Sequence, residues 1–203
     1  ITGNVTGVVV IYSDELKITG NRMQQLRQHT GFGLSIKESS QVLVEDNEIV
    51  HCAIGFVVNA PIQPENITIL RGNLFAYNEA AMYFYGDRGG HIIEGNRFDN
   101  NHTDVLVSSA SSALHNHWKG NTWDQYQGFD RNQDGVGDTP HNMYIYADRL
   151  WMDTPMARFY RGTPALELVD LVERLAPFSE PDLIMRDPVP DVRYRTEPTL
   201  PDF

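Results

Sequence analysis

The chain has 203 residues, 41% apolar and 10% aromatic, which suffices for one good core with an appendage and is too apolar for disorder throughout. Its 27 Asp and Glu against 16 Lys and Arg give a formal charge of −11, which repels phosphate backbones and anionic lipid headgroups and argues against nucleic acid as a partner. The single cysteine, Cys52, excludes an internal disulfide framework, and no run of about 18 apolar residues is present to span a membrane.

The first residues, Ile1-Thr2-Gly3-Asn4, have neither the charged nor the apolar region of a leader and read as the middle of a longer protein. A repeat follows. Asparagines recur at Asn21, Asn47, Asn73, Asn96 and Asn121, in steps of 26, 26, 23 and 25 residues. Three residues before each stands Ile18, Val44, Leu70, Ile93 or Trp118; two after each stands Met23, Ile49, Phe75, Phe98 or Trp123. A second apolar pair keeps the same register at Phe56/Val58, Met82/Phe84 and Val105/Val107, with Leu34/Ile36 displaced by an insertion between Met23 and Gly31 and Val8/Val10 preceding the first asparagine. Alternation with period 2 means short strands facing one interior. Units of about two dozen residues with two or three such strands cannot bury a face alone and must stack. The geometry that satisfies this is an all-β parallel β-helix over residues 1–128, with the asparagines forming an inward amide ladder at one turn.

After Asn121 the strand pair is replaced by an acidic capping loop over residues 129–146, in which Asp130, Asn132, Asp134, Val136 and Asp138 stand at positions 1, 3, 5, 7 and 9 around Gly135 at position 6. Alternating oxygens around a tight glycine turn suit Ca²⁺ better than the smaller Mg²⁺. Position 12 carries His141 where a bidentate Glu is expected, and an array of Asx turns without metal is the alternative. From residue 147 to 203 the spacing predicts a helix over 164–175, and six prolines after Leu175 predict an extended arm without regular structure.

Soft-metal donors are scattered through the second half. His115 and His117 share one face if both lie in a strand; His141 with Met143, and Met152 with Met156, are further donors for Cu(I), each with a solvated pair or plain core packing as the alternative. Trp151, Met152, Met156 and Phe159, in a stretch interrupted by Pro155, read either as a broken helix packed on the core or as an exposed apolar anchor for a partner. No G-x-S-x-G, phosphate loop or repeated carboxylate pair is present.

The segment Asn116-His117-Trp118-Lys119-Gly120-Asn121-Thr122-Trp123-Asp124-Gln125-Tyr126, then Gly128, Asp130 and Asp134-Gly135-Val136-Gly137-Asp138-Thr139-Pro140, resembles the NosD family of nitrous oxide reductase maturation proteins. The likeness continues through Tyr146-Ala147-Asp148-Arg149-Leu150-Trp151-Met152, Pro155 to Phe159 and Ala176 to Pro181. The resemblance implies a right-handed parallel β-helix in the periplasm, without enzymatic activity. Its implied partners are the membrane and ATPase subunits of an ABC transporter, a copper-chaperone lipoprotein and nitrous oxide reductase, whose copper–sulfur centre such assemblies help to load. The competing expectation is a calcium-binding, carbohydrate-binding or carbohydrate-active β-helix, with Trp123, Tyr126 and Phe129 beside Asp124 as its exposed sugar face.

Overall fold

A computed structural model describes residues 1–28, 31–59, 63, 65–108, 112–145 and 182–193. The coils appear where the asparagine period puts them. The first contributes β1 (Val8–Ile11), β2 (Lys17–Thr19) and β3 (Arg22–Gln24); the second β4 (Phe32–Lys37), β5 (Val42–Glu45) and β6 (Glu48–Val50). The third holds β7 (Ile54–Asn59), β8 (Thr68–Arg71) and β9 (Leu74–Ala76), and the fourth β10 (Ala80–Tyr85), β11 (Ile92–Glu94) and β12 (Arg97–Asp99). The fifth holds β13 (Thr103–Val107), β14 (His117–Lys119) and β15 (Thr122–Trp123). Equivalent strands assemble into three five-stranded sheets, β1-β4-β7-β10-β13, β2-β5-β8-β11-β14 and β3-β6-β9-β12-β15, all pairings parallel. This is a parallel β-solenoid.

The register turns the sequence repeat into columns of side chains. Met23, Ile49, Phe75, Phe98 and Trp123 stand in one column and Ile18, Val44, Leu70, Ile93 and Trp118 in another, all buried. The displaced pair Leu34/Ile36 falls in line with Val8/Val10 below and Phe56/Val58 above, so the insertion is absorbed outside the sheet.

The asparagines form the expected ladder. Each Oδ1 accepts the backbone N–H and the side-chain amide of the asparagine one coil earlier, at 2.9–3.1 Å, from Asn47 through Asn73 and Asn96 to Asn121. Each amide also donates to a carbonyl of the coil before it, as Asn73 Nδ2 does to Val44 O at 2.9 Å. Directly before each asparagine the backbone is left-handed: Gly20, Asp46, Gly72, Gly95 and Gly120 have φ between +53° and +65°. Glycine takes that conformation without a Cβ penalty, which is why Gly-Asn dominates these corners.

Two further ladders escape the sequence reading. At one corner Cys52 N–H donates to Asn78 Oδ1, and Asn78 N–H and its side-chain amide donate to Asn101 Oδ1. At the other, Thr68 N–H donates to His91 Nδ1 and His91 N–H to Asn116 Oδ1, each at 3.0 Å. Asp87 then accepts from His91 Nε2 at 3.1 Å and from the Asn116 amide at 3.0 Å. Burial pushes the Asp87 carboxyl up, but these bonds and the Gly89 N–H outweigh it and hold it below the ordinary carboxylate range.

The expectation of an arm without regular structure is corrected. Asp182–Asp187 forms a strand, β17, antiparallel to β16 (His141–Ile145), because Pro188 and Pro190 lie just beyond the strand, where the missing N–H groups do not interrupt its pairing. The helix expected over 164–175 lies outside the described residues.

Candidate functional site

The β16–β17 ribbon closes the C-terminal end of the solenoid by standing in for a sixth coil. Asp187, fully buried, takes the place of the next asparagine: its Oδ2 accepts Asn121 N–H at 3.0 Å, the Asn121 amide at 2.9 Å and the Trp123 indole N–H at 3.3 Å. Beyond the strand, Gly120 N–H reaches Val189 O and Asp191 N–H reaches Asn121 O, which extends the docking along the fifth coil. The aromatic column continues in the same way. Phe75, Phe98, Trp123 and His141 stack with ring centres 5.4, 4.1 and 4.8 Å apart, and Tyr126 meets the imidazole edge-on at 6.0 Å.

Directly opposed residues of an antiparallel pair share a face, and so do residues i and i+2 of one strand. His141 opposes Asp187 and Met143 opposes Met185, so all four side chains lie on one face of the ribbon. That face points inward: Met185 and Asp187 are fully buried, and Met143 packs against the core. His141 Nε2 is buried there without any hydrogen-bond partner. Burial pulls the imidazole pKa down to about 4, against the opposing pull of Asp187, so the ring is neutral at neutral pH.

The acidic loop folds as the array of Asx turns. Asp130 accepts Asp134 N–H and Gly135 N–H on its two oxygens, Asn132 Oδ1 accepts Asp134 N–H, Asp134 Oδ1 accepts Val136 N–H, and Asp138 Oδ2 accepts Arg131 N–H. Val136 bridges to Asp191, which ties the loop to the returning chain. His115 ends a short 3-10 turn (Ala113–His115) and only His117 enters β14, so the common strand face expected for the pair is not formed; both are exposed. Among the described residues no three His, Cys, Asp or Glu side chains gather as a metal group. Trp151, Met152, Met156 and Phe159 lie outside the described residues.

The expected sugar face is not a face. Trp123 is 4% exposed, sandwiched between Phe98 and His141, and Tyr126 is buried with its hydroxyl on Thr139 O; only Phe129 is out in solvent. An open groove of about 630 Å³ does run along one corner, where Arg27, His51, Tyr77, Glu79, His102 and Asp124 meet. His51 stacks on Tyr77 at 5.2 Å, and its pKa is lowered by burial and by Arg27 and Arg22. Beneath lies Asp104, 2% exposed, its carboxyl pushed up to about 7 by burial and by Asp124 and Asp99, and bonded to the Asn101 amide.

Comparison with known proteins yields one family and two named relatives. The model of a family described as periplasmic copper-binding protein (NosD) matches residues 1–128, the stretch that holds all five coils. A protein of Pseudomonas aeruginosa named as a probable ABC transporter binding protein NosD is 31% identical over 109 residues, covering 53% of this chain and 26% of that protein. A protein of Stutzerimonas stutzeri with the same name is 29% identical over 109 residues, covering 53% of this chain and 25% of that protein. The chain thus matches about a quarter of the length of these curated relatives.

Proposed function

The chain belongs to the NosD family, and from that premise we propose that it is a periplasmic accessory protein of an ABC transporter that supports assembly of the copper–sulfur centre of nitrous oxide reductase. The observation that carries this reading is the coincidence of the family match with the solenoid itself, residues 1–128. The names of the two relatives, which describe transporter binding, support the same reading. So does the architecture: rigid sheet faces and a closed end serve for docking. The role is therefore binding and not catalysis. The partners are the membrane and ATPase subunits of the transporter, a copper-chaperone lipoprotein and nitrous oxide reductase, with Trp151, Met152, Met156 and Phe159 as the anchor on the membrane subunit. The acidic loop takes Ca²⁺ through Asp130, Asn132, Asp134, Val136 and Asp138, a reading supported by their alternation around Gly135.

The test is co-purification of the tagged chain with the transporter subunits from detergent-solubilised membranes. Co-elution is expected, and its loss on changing both Met152→Asp and Met156→Asp at unchanged melting temperature identifies the anchor. Elution of the chain alone from membranes that hold the transporter overturns the reading; co-elution that survives both substitutions overturns only the anchor.

A further inference from the structure

The asparagine ladder satisfies its side-chain amides with neighbouring coils, whereas the closing ribbon leaves His141 Nε2 and Asn142 Oδ1 buried and unpaired, as Thr68 Oγ1 is at one corner of the coils, and of these His141 Nε2 alone is a soft-metal donor. An orphaned buried acceptor or donor costs on the order of 1–3 kcal/mol. Phenylalanine at position 141 would stack on Trp123 as well and carry no such cost, so packing does not explain the imidazole. What surrounds the orphan does. On the same inward face stand the thioethers of Met143 and Met185, directly opposed across the ribbon, with Met143 two residues from His141 on the same strand.

We propose that His141, Met143 and Met185 form a Cu(I) site at the closed end of the solenoid. The proposal rests on the copper-handling reading above and names the residues that would carry the ion. One imidazole nitrogen and two thioether sulfurs are soft, neutral donors that select Cu(I) over Zn²⁺, which takes thiolate, imidazole or carboxylate, and over Ca²⁺ or Mg²⁺, which take oxygen. The donor set holds no thiol, so an oxidising compartment does not destroy it by disulfide formation. The buried carboxylate of Asp187, opposite His141 in the ribbon, supplies the negative charge that a monovalent cation needs in an apolar setting.

The site is reachable by a small motion. Met143 is partly exposed and neighbouring Tyr144 is in solvent, so the ion enters from the β16 side without unwinding a coil.

The experiment is an anaerobic Cu(I) competition titration with a chromophoric chelator on the whole chain. It is paired with methionine-methyl NMR in the presence of Ag⁺, a redox-stable stand-in for Cu(I). Two variants accompany it: Met143→Leu with Met185→Leu, which keeps core volume and removes both sulfurs, and His141→Phe, which keeps the stack and removes the nitrogen. One Cu(I) per chain is expected, weakened about 100-fold or more in either variant, since loss of a direct ligand exceeds the 10–100-fold typical of outer-shell partners. The Met143 and Met185 methyl signals should shift with Ag⁺ while those of the buried Met23 and Met82 stay. Without metal, His141→Phe should melt at or above the wild-type temperature. Equal affinity in wild type and variants places the copper elsewhere and overturns this site while leaving the family role intact. No binding beyond an unfolded control also overturns the site, and the co-purification test then decides the family role by itself.

Discussion

The middle of the solenoid and its closed end solve one problem in two ways. In the middle each coil presents the groups its neighbour needs, so a single residue type can repeat: Asn47, Asn73, Asn96 and Asn121 are acceptor for one coil and donor to another. At the end no further coil stacks on the fifth among the described residues, and the same positions are filled by residues that accept without having to donate onward. Asp187 is an asparagine without donors, and His141 is the aromatic of a coil that is not there. Self-complementarity satisfies the asparagine ladder in the middle, whereas improvisation at the end leaves His141 Nε2 and Asn142 Oδ1 over.

The contrast can be broken at its strongest point. Replacing Asn73 by Ala strips the acceptor from Asn47 N–H and from the Asn47 amide and removes donors to Val44 O and Asn96. The Asn47 amide keeps Ile18 O and Glu45 O, but the buried Asn47 N–H loses its acceptor and Val44 O its side-chain donor, and two such groups at 1–3 kcal/mol each predict a loss of about 4 kcal/mol in urea unfolding. A loss below about 1 kcal/mol would mean that water or a neighbouring coil replaces the rung.

At the closed end acceptance alone is required, so Asp187→Ala should cost about 3 kcal/mol while Asp187→Asn costs about 1, the residual arising where an amide would face Val189 N–H. Equal losses in both variants would show that charge, not the ladder, is what Asp187 contributes.

Protons separate the two regions as well. The folded-state pKa of His141, about 4, lies below its unfolded value of 6.5, so the unfolded chain binds more protons in that window. Stability from this group is complete above pH 6.5 and falls by up to about 3 kcal/mol toward pH 4. Asp104 has the opposite sign: at about 7 when folded, it binds its proton more tightly than the unfolded carboxyl, and its contribution is lost as pH rises from about 4 to 7. The two slopes oppose each other between pH 4 and 6.5. In the His141→Phe variant the opposition is gone, and stability should decline as pH rises through that window, read as denaturation midpoints at half-unit steps. A variant whose profile parallels the wild type would show that the imidazole is not held neutral.

The smallest effect belongs to the acidic loop, which its own amides already shape. Calcium at millimolar concentration should raise the melting temperature by about 2–4 °C, the size of a 1 kcal/mol increment in a chain of this length. Asp134→Ala should abolish the rise, and melting curves that coincide with and without chelator would remove calcium from the loop.

What could be read from the sequence follows the same division. The coils were legible because a ladder needs the same side chain at every turn, which leaves asparagines at steps of 23 to 26 residues and apolar partners at fixed offsets. The other corners were not, because their rungs differ: Leu26, Cys52, Asn78, Asn101 and Tyr126 at one, Val42, Thr68, His91 and Asn116 at another. Asn78 and Asn101, each five residues after a ladder asparagine, were the available signal. The closing strand was hidden by the prolines around it and by the distance of its partner, since pairing across 46 residues, as between His141 and Asp187, obeys no period. His141 was visible only as a misfit at the twelfth position of the acidic loop, and Met185 gave no signal until β17 placed it opposite Met143.

The hydrogen bond from Asn121 to Asp187 joins residues 66 apart, whereas the ladder bonds below it join residues 23 to 26 apart. Closing a longer loop costs more chain entropy, and local contacts form sooner. The coils therefore zip up first from any point, and the ribbon lands last, held by fewer coils' worth of contacts. Run in reverse, the ribbon is the part that lifts off most readily in the native state, as an opening that leaves the coils wound. The end of the solenoid is thus the part whose opening leaves the wound coils intact, by the same order in which it was assembled.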